Sequence, residues 1–383
     1  MGIRGMNRFM RTFCSEAIRT VRFNELRGKK ISVDMSVYMY RFKKEKTLVA
    51  DMFTLMYLFK ENDITPVFVF DGEPPKEKEQ EMKERRKLKE VAIEKYEAIK
   101  KELAENADTY DEVAKEEKKK EMAGLEREFV SLKNSDLRKM CRLIDGFGFA
   151  RMFAEGEADM LCAALEKSGA VDAVMSEDGD MVAYGCTVVL RSPSITAGTC
   201  ELFDVGMARK MLGISVDTMR HMCVLSGTDY NAHMMKKESE RNDKDTEMDS
   251  PATKPLITNR DASDTTRTTD ASDDSDSDAS LSLDFFQAYT IMSELRGGTS
   301  VQDLATGCVP YYEMNLLDEM LRIKKIDDRL FEEHIKTANM YALSISTLRD
   351  VVEEYAEVMG ELSEFNKAAI CECLNQNGVL VCV

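Results

Sequence analysis

ITPVFVFDG, residues 64–72, is an apolar run rich in β-branched and aromatic side chains that stops on an aspartate and a glycine. A run of this length without alternation reads as a strand buried on both faces, the pattern of a parallel sheet. Two further stretches have the same shape: KKISVDMS, residues 29–36, reaching Asp34, and AVDAVMSEDGD, residues 170–180, reaching Asp178. Each is read as a strand whose last residue is an Asp. Helical patterns lie between them, ADMFTLMYLFKEN at residues 50–62 and ADMLCAALEKSG at 158–169, the second closing on Gly169 as a C-cap. Strands alternating with helices predict an α/β fold with a mostly parallel central sheet flanked by helices.

Outward from that core the composition changes twice. Residues 76–139 are nearly all Glu, Lys, Arg, Ala and Leu, with no proline and only Gly124 to interrupt them, which predicts one or two long charged helices with a thin apolar stripe. Residues 236–284 are rich in Ser, Thr and Asp and almost devoid of large apolar side chains; they cannot bury enough surface to order themselves and read as an acidic disordered linker. Helical periodicity resumes at LDFFQAYTIMSELRGG and continues through LRDVVEEYAEVMGELSEFNKAAICECL, so the part from 285 to 383 reads as all-helical. The expected organisation is a core over 1–235 with a helical arm at 72–140 inside it, the linker at 236–284 and the helical region at 285–383.

Composition removes several classes of chemistry. No apolar run approaches the roughly 18 to 20 residues a spanning helix needs, and the N-terminus lacks the layout of a signal peptide. MGIRGM carries Met6 where a myristoylation signal needs Ser or Thr. The ten cysteines are scattered without a CxxC, and His221, His233 and His334 lie far from any Cys pair, so zinc and a disulfide framework are not expected. The net charge of −17 argues against a polyanion partner until it is mapped. Residues 236–284 hold 14 acidic against 7 basic side chains, about −7 of that total, and a nucleic acid would have to follow a local basic track elsewhere.

In a parallel sheet ligands bind at the carboxyl ends of the strands, which is where Asp34, Asp71 and Asp178 belong. Glu155 and Glu157 stand two apart at the start of a helix, Asp180 repeats that spacing after Asp178, and Asp229 follows a helix in CVLSGTDYN. Seven carboxylates at one cleft repel: two charges about 4 Å apart cost roughly 4 kcal/mol at an effective dielectric near 20. Without cations several would be protonated. Oxygen ligands without His or Cys select hard ions, so Mg²⁺ is expected, two ions per site, with Mn²⁺ as a substitute; such a pair suits in-line displacement at phosphorus. A single Asp at any of these places would be read as a turn or cap residue. A haloacid-dehalogenase-like phosphatase also puts Asp at a strand end, but neither VDMSV nor FDGEP supplies its DxDx[TV] pattern.

With MGIRGMNRFM, ISVDMSVYMYRF, VFVFDGEPPKEKEQEMKERR, FAEGEADMLCAAL, SEDGDMVAYG and LSGTDY in this order, the first 230 or so residues resemble the flap endonuclease and XPG-type structure-specific nucleases. The resemblance implies a PIN-like nuclease core and a helical gateway or arch after Asp71 that passes a 5′ single strand. It implies that Asp34, Asp71, Glu155, Glu157, Asp178, Asp180 and Asp229 carry two divalent metals. Lys78 and Arg85 match the family's basic pair at the scissile phosphate, two helical turns apart on one face. Tyr40 matches an aromatic that stacks on a base, with core packing as its other reading. Gly2 and Arg4 match an N-terminal segment near the active site, while Gly5 is read as a turn residue.

The chain also departs from that pattern. YNAHMMKKESERND after Asp229 has no Gly-x-Gly hairpin of the kind that cradles a downstream phosphate with potassium, so the sequence leaves that duplex-binding and potassium site open; CLNQNGVLVCV lacks a sliding-clamp motif, so a clamp partner is not expected. The function expected is a Mg²⁺-dependent DNA endonuclease or 5′-exonuclease acting on branched or flapped DNA in replication, repair or recombination. It is expected to be a monomer with no membrane partner, inside the cell, in the nucleus or another site of DNA replication; a large DNA virus, acting in its host's nucleus, would suit the sequence as well as a divergent cellular source. The alternatives are a non-catalytic junction-binding scaffold and a PIN-like RNase.

Overall fold

The run at residues 64–72 forms β3 (Thr65–Phe70) of a seven-stranded sheet in a computed structural model. The structure describes residues 3–105, 110, 112–228, 230, 285, 336–362 and 364–379, so Gly2, Asp229 and the expected linker at 236–284 lie outside the described residues. The strands are β1 (Ile18–Arg22), β2 (Lys30–Asp34), β3, β4 (Ala150–Phe153), β5 (Ala173–Met175), β6 (Val188–Ser194) and β7 (Thr199–Asp204), in the spatial order β1-β7-β6-β5-β2-β3-β4. From β6 to β4 every neighbour is parallel. The sheet is completed by antiparallel pairing of β7 to β6 and of β1 to β7.

Helices cover both faces because side chains alternate along the buried strands. On β3, Val67 and Val69 join one apolar cluster and Phe68 and Phe70 the other. The first cluster is closed by α1 (Met6–Phe13), α7 (Ala158–Lys167), α8 (Asp180–Tyr184), α9 (Val205–Leu212), α10 (Val216–Ser226) and α11 (Ile345–Gly360). The second is closed by α2 (Met35–Lys44), α3 (Leu48–Glu61), α6 (Asn134–Phe147) and α12 (Lys367–Gln376). Gly169, just past α7, adopts φ +77°, the left-handed conformation a glycine provides at a helix end.

The charged segment becomes α4 (Glu79–Glu105), about 40 Å long at 1.5 Å per residue, and α5 (Glu112–Glu128), which folds back on it. Lys118 pairs with Glu102 across the two helices at 2.8 Å, and Lys46 ties α5 to the α2–α3 turn through Glu126 at 2.8 Å. No described side chain of α5 is buried, so the pair projects as an arm. α6, in the last part of the segment, instead buries Met140, Leu143, Ile144 and Phe147 in the core.

Strand ends differ in detail from the sequence reading. Asp34 is the last residue of β2, Asp71 follows β3 by one residue, but β5 stops at Met175, three residues before Asp178. The reason lies in Ser176, whose hydroxyl donates to Asp34 at 2.9 Å and accepts from the Asp178 N–H at 3.1 Å, turning the chain out of the ladder. All eight described cysteines are free thiols, six of them buried, and no helix among the described residues is long and apolar enough to cross a membrane.

Candidate active site

Because β2, β3 and β5 are parallel neighbours, their carboxyl ends share one edge of the sheet. Asp34 sits there 2% exposed, accepting from Ser176 Oγ and, as N-cap of α2, from the Val37 N–H. Asp71 accepts from the N–H of Ala158 at 2.8 Å, holding the first turn of α7 against the end of β3. Two backbone hydrogen bonds zip the same loops together, Gly72 N–H to Gly156 O at 2.7 Å and Glu73 N–H to Glu155 O at 3.0 Å. A Cβ on Gly72 would lie 2.0 Å from the carbonyl oxygen of Ala154, so only glycine permits this approach.

The start of α7 brings in a carboxylate the sequence reading missed. Asp159, in the first helical turn, is close enough to Asp34 for a hydrogen bond. Burial, then the charges of Asp34, Asp178 and Asp180, push the Asp159 carboxyl well above its ordinary range, with Lys78 opposing them. Asp34 is likewise pushed up to about 7, by burial and then by the charge of Asp71. Glu157 faces the same cleft, paired with Lys78 Nζ at 2.7 Å and accepting a hydrogen bond from the Tyr230 hydroxyl. Glu155 is exposed; after burial, its charge is the next cause raising Glu354 of α11. The signal for Asp159 was present in EGEAD: a carboxylate at every second residue offers two pairs, and only the second one reaches into the helix that packs on β2.

Just past the end of β5, Asp178 Oδ1 accepts the N–H of Asp180, the first residue of the short α8, at 3.0 Å. Asp180 is 1% exposed, and its Oδ2 accepts from the hydroxyl of Tyr341 at 2.7 Å. Glu177, just before Asp178, is half-buried. It accepts from the Ser192 N–H at 2.7 Å, pairs with Arg41 at 3.5 Å, and its carbonyl takes Arg191 Nη2 at 2.5 Å. These bonds pin the SEDGD turn to the bulge in β6 between Arg191 and Ser194.

Lys78 ends a 3₁₀ turn (Lys76–Lys78) before α4; only 7% exposed, it lies over the ring of Tyr230, 4.6 Å from the centroid. Arg85 lies within α4, half-buried. Tyr40 is 39% exposed on α2 with Lys89 of α4 over its ring at 5.8 Å, whereas Tyr38 is the tyrosine of that run that fills the core. Packing is thus not the role of Tyr40. Arg4 is exposed, and Gly5 starts α1 with φ 74°, as a turn glycine should.

The cleft therefore presents Asp34, Asp71, Glu157, Asp159, Asp178 and Asp180, with Lys78 at the rim. Among the described residues no three or more His, Cys, Asp or Glu side chains are already drawn into a metal cage. Asp34, Asp71, Glu157 and Asp180 are each turned onto a protein donor. The donor chemistry fits a hard divalent cation: every candidate ligand is a carboxylate, two of them are raised by burial and then by their neighbours' charge, and none is His or Cys.

The XPG N-terminal domain matches residues 1–92 and the XPG I-region residues 148–229, which between them carry all six carboxylates of this cleft and Lys78, but not Tyr230 or Tyr341. Flap endonuclease 1 of Methanocaldococcus jannaschii is 31% identical over 229 residues, 55% of this chain and 65% of the relative. Flap endonuclease 1-A of Physcomitrium patens is 30% identical over 249 residues, 60% of each chain. The chain thus spans somewhat under two thirds of the length of these relatives. The Holliday junction-resolving enzyme GEN1, solved with product DNA and Mg²⁺, has a similar fold, with a TM-score of 0.51 at 17% identity over 98% of this chain and 73% of that one. Two XPG regions in order, folded around one carboxylate edge, mark residues 1–229 as XPG-type and similar to the flap endonucleases.

Proposed function

We propose that the protein is a Mg²⁺-dependent, structure-specific DNA nuclease that hydrolyses a phosphodiester at a flap-type junction, as an endonuclease or 5′-exonuclease. The observation that carries this reading is the pairing of buried Asp34 with half-buried Asp159, within hydrogen-bond reach of each other beside Asp71, Asp178 and Asp180, with Lys78 held at the rim by Glu157. Asp34, Asp71, Glu157, Asp159, Asp178 and Asp180, with Asp229, would hold two divalent cations. Those ions, when bound, supply the charge that activates water and stabilises the oxygens of an in-line displacement.

The chain's own residues do the rest. Lys78 and Arg85, at the base of the arm, meet the scissile phosphate and offset its growing charge. The exposed face of Tyr40 stacks on a neighbouring base without regard to sequence. Arg4 contributes a phosphate contact from the N-terminal segment. The arm of α4 and α5 is the gateway for a 5′ single strand.

The test is a panel of flap, gap, bubble, nicked and four-way DNA at fixed salt, with cleavage sites mapped in Mg²⁺ and Mn²⁺. Cleavage of a branched substrate by the wild type, lost in Asp178→Ala, supports the proposal. Tight binding of forked DNA without hydrolysis selects a scaffold, and better cutting of RNA than DNA selects an RNase.

A further inference from the structure

We propose that Tyr341, from the chain's C-terminal part, is a positioning residue for the acidic cleft, setting the orientation of the Asp180 carboxylate toward a divalent cation; this rests on the metal-dependent reading above. Tyr341 lies outside both XPG regions, 161 residues from Asp180 in sequence. Its side chain is fully buried, and its hydroxyl both donates to Asp180 Oδ2 at 2.7 Å and hydrogen-bonds with Thr228, beside Asp229. Its ring meets Tyr184 edge-on at 4.8 Å and Tyr230 at 5.5 Å. One side chain thus touches the SEDGD turn, the helix that follows it and the SGTDY turn.

The backbone around Tyr341 is built to deliver it. A helical turn at 336–340 ends with the Tyr341 N–H on Ala338 O at 3.2 Å, and the chain then runs three residues to Ser344. Ser344 caps α11 by accepting the Thr347 N–H, and α11 packs on α7 and β4, the elements flanking Asp159 and Glu155. Phenylalanine would satisfy the ring packing alone. A buried hydroxyl is costly unless hydrogen-bonded, and here its acceptor is a carboxylate of the cleft. With Oδ2 engaged, the carboxylate cannot rotate freely, which is how an outer partner tunes a ligand.

Tyr341→Phe keeps the ring and removes the donor. Calorimetric titration of Mn²⁺ into the DNA-free full-length protein should show affinity weakened about tenfold. Cleavage should fall more at low Mg²⁺ than at saturating Mg²⁺. Tyr355→Phe serves as the control: it deletes another buried hydroxyl of the same C-terminal part, beside Lys30 at the far end of β2 from Asp34, and should leave Mn²⁺ affinity unchanged. Equal Mn²⁺ affinity in Tyr341→Phe and wild type overturns the inference while leaving the nuclease reading standing, as does a drop in melting temperature without a change in affinity. A wild type that binds no Mn²⁺ overturns both.

Discussion

A carboxylate buried beside other carboxylates must find a proton, a donor or a cation, and Asp34 and Asp159 show that pressure most clearly. Both are raised, first by burial and then by neighbouring carboxylates. Asp159→Asn should therefore lower cleavage by at least about 100-fold, beyond the 10- to 100-fold typical of an outer partner, whereas Glu155→Gln, exposed and turned toward α11, should stay within about threefold. Mapped cleavage rates on one flap substrate measure both, and equal losses would show that both residues serve the cleft. Asp34 and Asp71, each of which alone reads as a turn or cap residue, were legible from sequence because a parallel sheet brings the ends of their apolar runs to one edge. Asp159 was not, because in EGEAD the choice of pair depends on where α7 begins, and that is set by the Asp71 bond to the Ala158 N–H, a contact across 87 residues.

At the scale of elements, the site is held by places where two segments lock. Gly72 lets the loop after β3 zip onto the loop before α7; Gly72→Ala should cost at least about 2 kcal/mol of stability by denaturant unfolding, since the obstructing atoms are backbone and cannot swing away. On the other face, Asp136 joins α6 to α2, accepting from the Lys133 N–H at 3.0 Å and pairing with Lys43 at 3.0 Å. Burial opposes its ionisation, but those two donors outweigh it and hold the carboxyl below its ordinary value of 3.8. Its contribution is therefore present above that pH and is lost as pH falls through the folded value. Asp136→Asn should destabilise by about 2 kcal/mol at pH 7, and the gap to wild type should close below pH 3.8. The strands β2, β3 and β5 were legible because they lie in continuous apolar runs buried on both faces, and α3 and α7 because their apolar residues recur at helical spacing. The antiparallel β6–β7 hairpin and β1 were not: VVLRSPS and TCELFD bury only part of one face, and their pairing is settled by the sheet edge they complete rather than by their own pattern.

For the molecule as a whole, the proposed metal site implies that stability should depend on cations, since negative charge is concentrated at one edge. Mg²⁺ at about 100 times its dissociation constant should add about 2.7 kcal/mol, a rise of roughly 5 to 10 °C in melting temperature for a domain of this size, and Asp178→Ala should lose most of it. A thermal scan with and without Mg²⁺ reads this directly; an unchanged midpoint in the wild type would contradict it. The overall α/β plan was readable from three apolar runs, whereas the part played by Tyr341 was not, since a tyrosine in a helical stretch carries no mark of the carboxylate it will meet. The strand order β6-β5-β2-β3-β4 has a further effect, on timing. Asp34 emerges from the ribosome early, but its strand waits for β5 and its Ser176 partner 142 residues later, and Asp180 waits for Tyr341 longer still. At roughly 5 to 20 residues per second of synthesis, a nascent chain spends many seconds with its carboxylates scattered, and the cleft is among the last features of translation to close.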